Sequence, residues 1–147
     1  MTVLVDVNVL VYAFRGDEAG HATYHGWLTT MLNTGTEAVG LAESSVSGFV
    51  RIVTNPRIYG NPSATERAAA FIDEMLASDR ARWLPPTTAT WHRFGELVRH
   101  DRMIRGNLVP DAWLAALAIS HGARLATADR GMARYPGLQS FDPASPA

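Results

Sequence analysis

Short apolar runs alternate along this chain with segments of helical period, and that alternation restricts the fold more than any other feature. TVLVD (residues 2–6), EAVGLAE (37–43), ARWL (81–84), ARLATA (123–128) and LQSF (138–141) are too short for helices and too apolar for loops. After the first run, Val7, Leu10, Val11 and Phe14 recur at i, i+3, i+4 and i+7, the period of a helix face. A second helix is expected from His21 to Leu32, stopping near Gly35. Ser44 or Ser45 is expected to cap a third, with Val46, Phe49, Val50 and Val53 as its apolar face and Asn55-Pro56 as its end. Ser63 and Glu66 have capping-box spacing ahead of a face made by Ala68, Phe71, Ile72 and Met75. Two more helices are expected, one from Thr88 to His100 and one capped by Asn107, running to His121 and closed by Gly122. Strands joined through helices become parallel neighbours, with helices covering both faces of the sheet. The expected fold is therefore a three-layer α/β/α domain around a mainly parallel sheet. It should occupy residues 1–142, with 143–147 as a flexible C-terminal tail.

Composition narrows the chemistry. The chain has no cysteine, which removes disulfides and thiolate metal sites. All 13 of its basic residues are arginine, so no mechanism that needs a lysine is open to it. A net charge of −1 gives no global basic field for nucleic acid. The first residues enter a strand-like run and do not resemble a signal peptide, and no run reaches the roughly 20 apolar residues of a membrane span. A cytoplasmic location without membrane contact is expected.

The acidic residues fall in a pattern. Within VLVDVNVLVYAF, Asp6 interrupts an apolar stretch where an unpaired carboxylate is costly to bury. Glu43 closes the second apolar run, Asp129 follows RLATA, and Asp111 lies in the first turn of the helix expected after Asn107. In open parallel sheets, ligands bind beyond the carboxyl ends of the strands. Carboxylates gathered there would repel one another, and a hard divalent cation, Mg²⁺ or Mn²⁺, resolves the repulsion with the oxygen ligands it prefers. Each acid taken singly has another use. Asp129 could cap a short helix with Thr127 shaping the turn, Asp111 could complement a helix dipole, and Glu43 could simply be solvated. His21 and His25 stand at i, i+4, but HATYH lacks the glutamate of a zinc-protease helix and reads as exposed first-turn histidines. Trp27, Trp83, Trp91 and Trp113 read as packing residues. Neither G-x-G-x-x-G nor a Walker sequence occurs.

The segments DVNVLVYA, AESSVSGFVRIVTNPRIY and NLVPDAWLAALAISHGARLATADRGMARYPGL together resemble PIN domains, specifically VapC-type toxins of toxin–antitoxin pairs. The resemblance runs from residue 3 to 142 and is carried by the ordered set that ends in T-x-D-R-G and PGL. It implies a metal-dependent endoribonuclease in which Asp6, Glu43, Asp111 and Asp129 are the metal-binding, catalytic acids, with Asn8 and Thr127 supporting them. It also implies an RNA substrate cleaved to leave a 5′-phosphate, a small cognate antitoxin and a homodimer. An acidic cleft needs arginines on its rim to hold RNA, and Arg15, Arg51, Arg57, Arg130 and Arg134 are candidates by position. Tyr59, near Arg57, could add a stacking surface. The antitoxin is expected to insert a basic segment near Asp6, Asp111 and Asp129 and to lay an apolar helix face in a groove between helices. Two alternatives are a non-catalytic PIN-fold module that binds RNA or protein, and a phosphatase or receiver domain phosphorylated on Asp6. The second is disfavoured by Asn8, where an acidic pair is usual, and by the absence of lysine.

Overall fold

In the computed structural model, which describes residues 1–145, the run at the start of the chain becomes the middle of the sheet. The elements follow in order: β1 (Thr2–Val5), α1 (Val7–Phe14), α2 (His21–Asn33), β2 (Ala38–Leu41), α3 (Glu43–Val53), α4 (Thr65–Leu76), β3 (Ala81–Trp83), α5 (Thr88–His100), α6 (Val109–Ser120), β4 (Arg124–Ala126) and β5 (Ser140–Phe141). Short 3₁₀ turns occupy Gly106–Leu108 and Arg130–Arg134. The strand order is β3-β2-β1-β4-β5, and every pairing is parallel. From β1 the chain builds outward through β2 to β3, then returns to the other side of β1 for β4. The order therefore reverses between β1 and β4, the place where open α/β sheets form their ligand crevice.

Successive strand residues point to opposite faces, and both faces are covered. Val5, Val39 and Leu41 pack with Val9, Leu10, Phe49, Ile72 and Met75 on the side of α1 to α4. Leu4 and Leu125 pack with Leu97, Ala112, Ala116 and Leu117 on the side of α5 and α6. This is the expected three-layer α/β/α architecture. One glycine is required by packing: a Cβ on Gly40 of β2 would lie 2.6 Å from a Leu84 methyl carbon.

Element existence follows the periodicity, whereas several helix starts do not follow the expected caps. α3 begins at Glu43, ahead of Ser44 and Ser45, with Ala42 at the cap position and no side-chain cap. α4 begins at Thr65 after Ala64, again without a side-chain cap. Its expected cap, Ser63, instead accepts a hydrogen bond from Arg15 at 3.0 Å. Asn107 lies inside the 3₁₀ turn, and α6 starts two residues later, behind Leu108 and with Pro110 in its first turn. A reciprocal box between Thr87 and Thr90, not expected, opens α5. Gly122 does close α6, at φ +65°. The tryptophans are not all packing residues, for Trp91 is 62 % and Trp83 44 % exposed. His21 is partly buried, its Nδ1 2.9 Å from the Tyr12 carbonyl oxygen, while His25 is exposed. Of the segment expected to form a tail, Ala144 and Ser145 form a turn that donates two backbone bonds to Asp142; residues 146–147 lie outside the described residues. Among the described residues no helix is long and apolar enough to cross a membrane.

Candidate active site

The change from strand to helix takes one residue, and that residue is Asp6. Its amide donates to the Ala126 carbonyl at 3.0 Å, holding the end of β1 against β4. Its side chain then accepts from the Val7 amide at 2.7 Å, capping α1. The other carboxylate oxygen accepts from the Thr127 hydroxyl at 2.8 Å, with the Asn8 amide at 3.4 Å. Thr127 follows β4 directly, and its hydroxyl also accepts from the Asp129 amide at 3.0 Å. The Asn8 side-chain oxygen Oδ1 accepts from the Ala128 amide at 3.0 Å. Asn8 and Thr127 thus cross-brace the ends of the strands on either side of the sheet reversal and fix one carboxylate between them. Asp129 accepts from the Gly131 amide at 2.8 Å and caps the following 3₁₀ turn. The capping use considered for it from sequence is real and leaves its second oxygen free for other work.

Asp6, Asp111 and Asp129 line one cavity of about 520 Å³ over this edge. Asp6 is 9 % exposed, Asp111 half-buried and Asp129 exposed. Burial raises the Asp6 carboxyl above its ordinary value, and the Asp129 charge adds to this against the opposing hydrogen bonds from Thr127, Val7 and Asn8. Asp111 is raised too, by burial and then by the charges of Asp129 and Asp6. Burial is thus the larger cause of both shifts, and repulsion between the acids the smaller. Glu43 sits at the first position of α3, just past β2, but is exposed and does not line this cavity. Among the described residues, no three His, Cys, Asp or Glu side chains come together closely enough to hold a metal ion.

The remaining lining comes from Val7, Asn8, Val11 and Tyr12 of α1, Ser44, Gly48, Arg51 and Ile52 of α3, Tyr59, Glu18 and Pro110. Glu18 was not singled out from sequence. It lies in the turn between α1 and α2, where neither period nor motif marks a residue, and it accepts the Tyr59 hydroxyl at 2.7 Å. Burial and this bond push the Tyr59 phenol up to about 12, so it remains a donor.

The expected RNA-binding arginines separate. Arg15 is 7 % exposed and spent internally on Asp17, the Asn61 carbonyl and Ser63, which corrects its assignment to the rim. Arg134 pairs with Asp101 at 2.8 Å. Arg51 lines the cavity, and Arg57 and Arg130 are exposed. A larger hollow, about 710 Å³, lies between α2 and α4, lined by Leu28, Phe71, Met75 and Arg80 and by none of the site carboxylates.

The fold and this edge define a parallel α/β protein with a braced carboxylate site at the reversal of its sheet. The chain belongs to the PIN domain family, matched over residues 3–138. It is 42 % identical to ribonuclease VapC43 of Mycobacterium tuberculosis over 135 residues, covering 92 % of this chain and 90 % of that one. It is 32 % identical to ribonuclease VapC31 of the same species over 143 residues, covering 95 % and 97 %. Its fold is like that of VapBC2 from Rickettsia felis, solved bound to a promoter DNA fragment, with a TM-score of 0.71 at 19 % identity, covering 97 % of this chain and 98 % of that one. The PIN and VapC resemblance read from the sequence therefore holds.

Proposed function

We propose that this chain is the toxin of a toxin–antitoxin pair and acts as a metal-dependent endoribonuclease. The observation that carries the reading is the meeting of Asp6, Asp111 and Asp129 around one cavity at the sheet reversal. Their chemistry fits a hard cation: the donors are carboxylate oxygens, and two of the carboxyls are held above their ordinary pKa, by burial first and by acidic neighbours second. Asp6, Asp111 and Asp129 would hold Mg²⁺ or Mn²⁺, with Glu43, outside the cavity at the start of α3, reaching it through water. Bound there, the cation supplies a more acidic water and offsets charge gathering on the scissile phosphate.

The chain's own residues supply position. Thr127 and Asn8 fix the Asp6 carboxylate, so its orientation costs nothing when substrate arrives. Water attacks phosphorus and the ribose 3′-oxygen leaves, giving a 5′-phosphate and a 3′-hydroxyl. Arg51 at the cleft wall and the exposed Arg57 and Arg130 contact the flanking phosphates as charge-assisted donors. The partner is a small antitoxin that brings a basic side chain to the acids and so occupies the place of the cation; the toxin also pairs with a second copy of itself. We take residues 1–142 as the catalytic domain.

The test is cleavage of total cellular RNA by the purified protein with Mg²⁺ or Mn²⁺, read by sequencing new 5′ ends, with Asp111→Asn as control. Metal-dependent ends that vanish in the control are expected. Equal cleavage by both proteins would remove Asp111 from the mechanism.

A further inference from the structure

The cleft has two unlike sides. The acids stand at the strand ends, while Val11, Tyr12, Ile52 and Tyr59 line the same cavity with apolar and aromatic surface. A phosphate gains nothing from such a wall, but a nucleobase does, because every base has a face that stacks on an aromatic ring. At about 520 Å³ the cavity falls in the roughly 300–1,000 Å³ range of small-ligand sites. That is room for an unpaired nucleotide and not for a duplex.

Tyr59 is held there with unusual care for a residue in a loop. The loop between α3 and α4 contains Pro56, Gly60 and Pro62, a composition that leaves a surface segment loose. Here it is fastened along its length. The Asn55 side chain accepts from the Arg57 amide at 2.9 Å, the Tyr59 amide donates to the Asn55 carbonyl at 3.1 Å, and the Ser63 amide donates to the Val53 carbonyl at 2.8 Å. Arg15, at the end of α1, reaches the Asn61 carbonyl at 2.8 Å and the Ser63 hydroxyl at 3.0 Å, and its carbon Cζ lies 3.9 Å from the Tyr59 ring centroid. Asp17 neutralises Arg15 through two bonds of 2.9 and 2.5 Å. Glu18 fixes the ring's other end by accepting its hydroxyl at 2.7 Å. A guanidinium is expensive to bury, and here it serves to hold one aromatic ring at the wall of the site.

We propose that Tyr59 is the surface on which the nucleobase beside the scissile phosphate stacks, with Arg15 and Glu18 as positioning residues that hold the ring before RNA binds. The inference rests on the ribonuclease reading above and adds a base contact to it. Because the ring is already fixed from two sides, stacking loses no side-chain freedom at this residue. Arg15 acts through Tyr59 and does not meet RNA.

The probe is a single-stranded RNA spanning a cleavage position mapped by the 5′-end experiment, made intact and with one abasic nucleotide on either side of that position. Steady-state cleavage is measured for wild type, Tyr59→Phe, Tyr59→Leu and Arg15→Gln. For wild type, one abasic neighbour should raise KM by roughly five- to a hundred-fold, the range expected for losing one base–aromatic stack. Tyr59→Leu should raise KM on intact RNA by a similar factor and become indifferent to the abasic position, since the two changes remove the same contact. Tyr59→Phe keeps the ring but loses its bond to Glu18, so it should raise KM less than Tyr59→Leu and retain most of the abasic penalty. Arg15→Gln should raise KM and blunt the abasic penalty without reaching Tyr59→Leu. A Tyr59→Leu protein with wild-type KM, or with the full abasic penalty intact, overturns the proposal. If that variant does not fold, the wild-type series decides: no penalty from either abasic neighbour overturns it equally. Absence of any RNA cleavage by wild type would remove the ribonuclease reading first; cleavage that ignores Tyr59 and the neighbouring bases removes this inference alone.

Discussion

Asp6 and Asp111 carry similar charges into the same cleft with different support. Both Asp6 oxygens are taken by donors, from Val7 on one side and from Thr127 and Asn8 on the other. Asp111 is raised by burial and by its acidic neighbours, with no compensating hydrogen bond among the described residues. Neutralising each should therefore cost activity alike and stability unequally. Asp6→Asn places an amide where a carboxylate oxygen accepted, at a cost of about 1–3 kcal/mol for the strained donor partners, less the repulsion it removes. Asp111→Asn removes repulsion and breaks no hydrogen bond, so its melting temperature at neutral pH should equal or exceed that of wild type. Both should lose at least the roughly 10–100-fold in activity that removal of a mere supporting partner brings at a metal site. RNA cleavage and thermal melts of the two variants check this; Asp111→Asn that melts early yet cleaves normally would make the residue structural. Tyr135 offers a cleaner stability test. It is 3 % exposed, and its buried hydroxyl has no hydrogen-bond partner among the described residues. Tyr135→Phe should be neutral or stabilising by up to about 1 kcal/mol in urea unfolding, because the hydroxyl is desolvated without return.

At the scale of elements, glycines in two settings should respond with opposite sign to the same change. Gly122 ends α6 at φ +65°, with the Ala123 amide donating back to the Ala118 carbonyl at 2.9 Å, so Gly122→Ala should cost about 1 kcal/mol. Gly26 lies inside α2 with open space where a Cβ would go, and Gly26→Ala should gain about 0.5–1 kcal/mol. Denaturant midpoints of both variants test the pair; the same sign for both would mean that the local backbone does not decide. These elements show what the sequence could and could not disclose. Strand and helix were legible because burial on a sheet and on a helix imposes different periods, and those periods stand in the residues themselves. The first-turn and strand-end positions of Asp6, Asp111 and Asp129 followed from the same reading. Helix starts were less legible because a cap is a competition: Ser63 has the right spacing to cap α4 but is taken by Arg15, 48 residues away in sequence. For the same reason Arg15 reads from the sequence as a surface arginine, and nothing in the sequence marks Glu18, which only the fold brings to Tyr59. Contacts between distant loops leave no periodic trace.

Over the whole molecule, the balance of carboxylates makes stability a function of both protons and cations. Asp6 and Asp111 have raised folded pKa values, so the native state holds protons that the unfolded chain releases above the ordinary value of about 4. Their effect is destabilising above the folded pKa, fades as pH falls through it, and is gone below the unfolded value. Asp17 and Asp101 have the opposite sign. Asp17 is lowered by its bond to Arg15, and Asp101 by the Met103 amide and Arg134; what they add is present above the ordinary value and lost as pH falls through their depressed ones. Acidification from neutrality therefore relieves the site before it costs the surface, and the cation-free protein should be most stable on the acid side of neutral. A divalent cation relieves the same repulsion without protons, and a ligand that binds only the native state adds about 2.7 kcal/mol at a hundred times its dissociation constant. Protons and cation compete for the same oxygens. The rise in melting temperature produced by millimolar Mg²⁺ or Mn²⁺ should thus be largest at neutral pH and shrink as pH falls through the raised values of the two carboxyls and the site takes up protons. The measurement is a grid of thermal melts over pH and metal concentration, with sodium chloride at matched ionic strength to remove general screening. Asp111→Asn should start more stable and gain little from the metal at any pH. A metal-induced shift that is flat with pH, or equal in wild type and Asp111→Asn, would place the cation elsewhere on the protein and leave the raised carboxylates without the partner assigned to them.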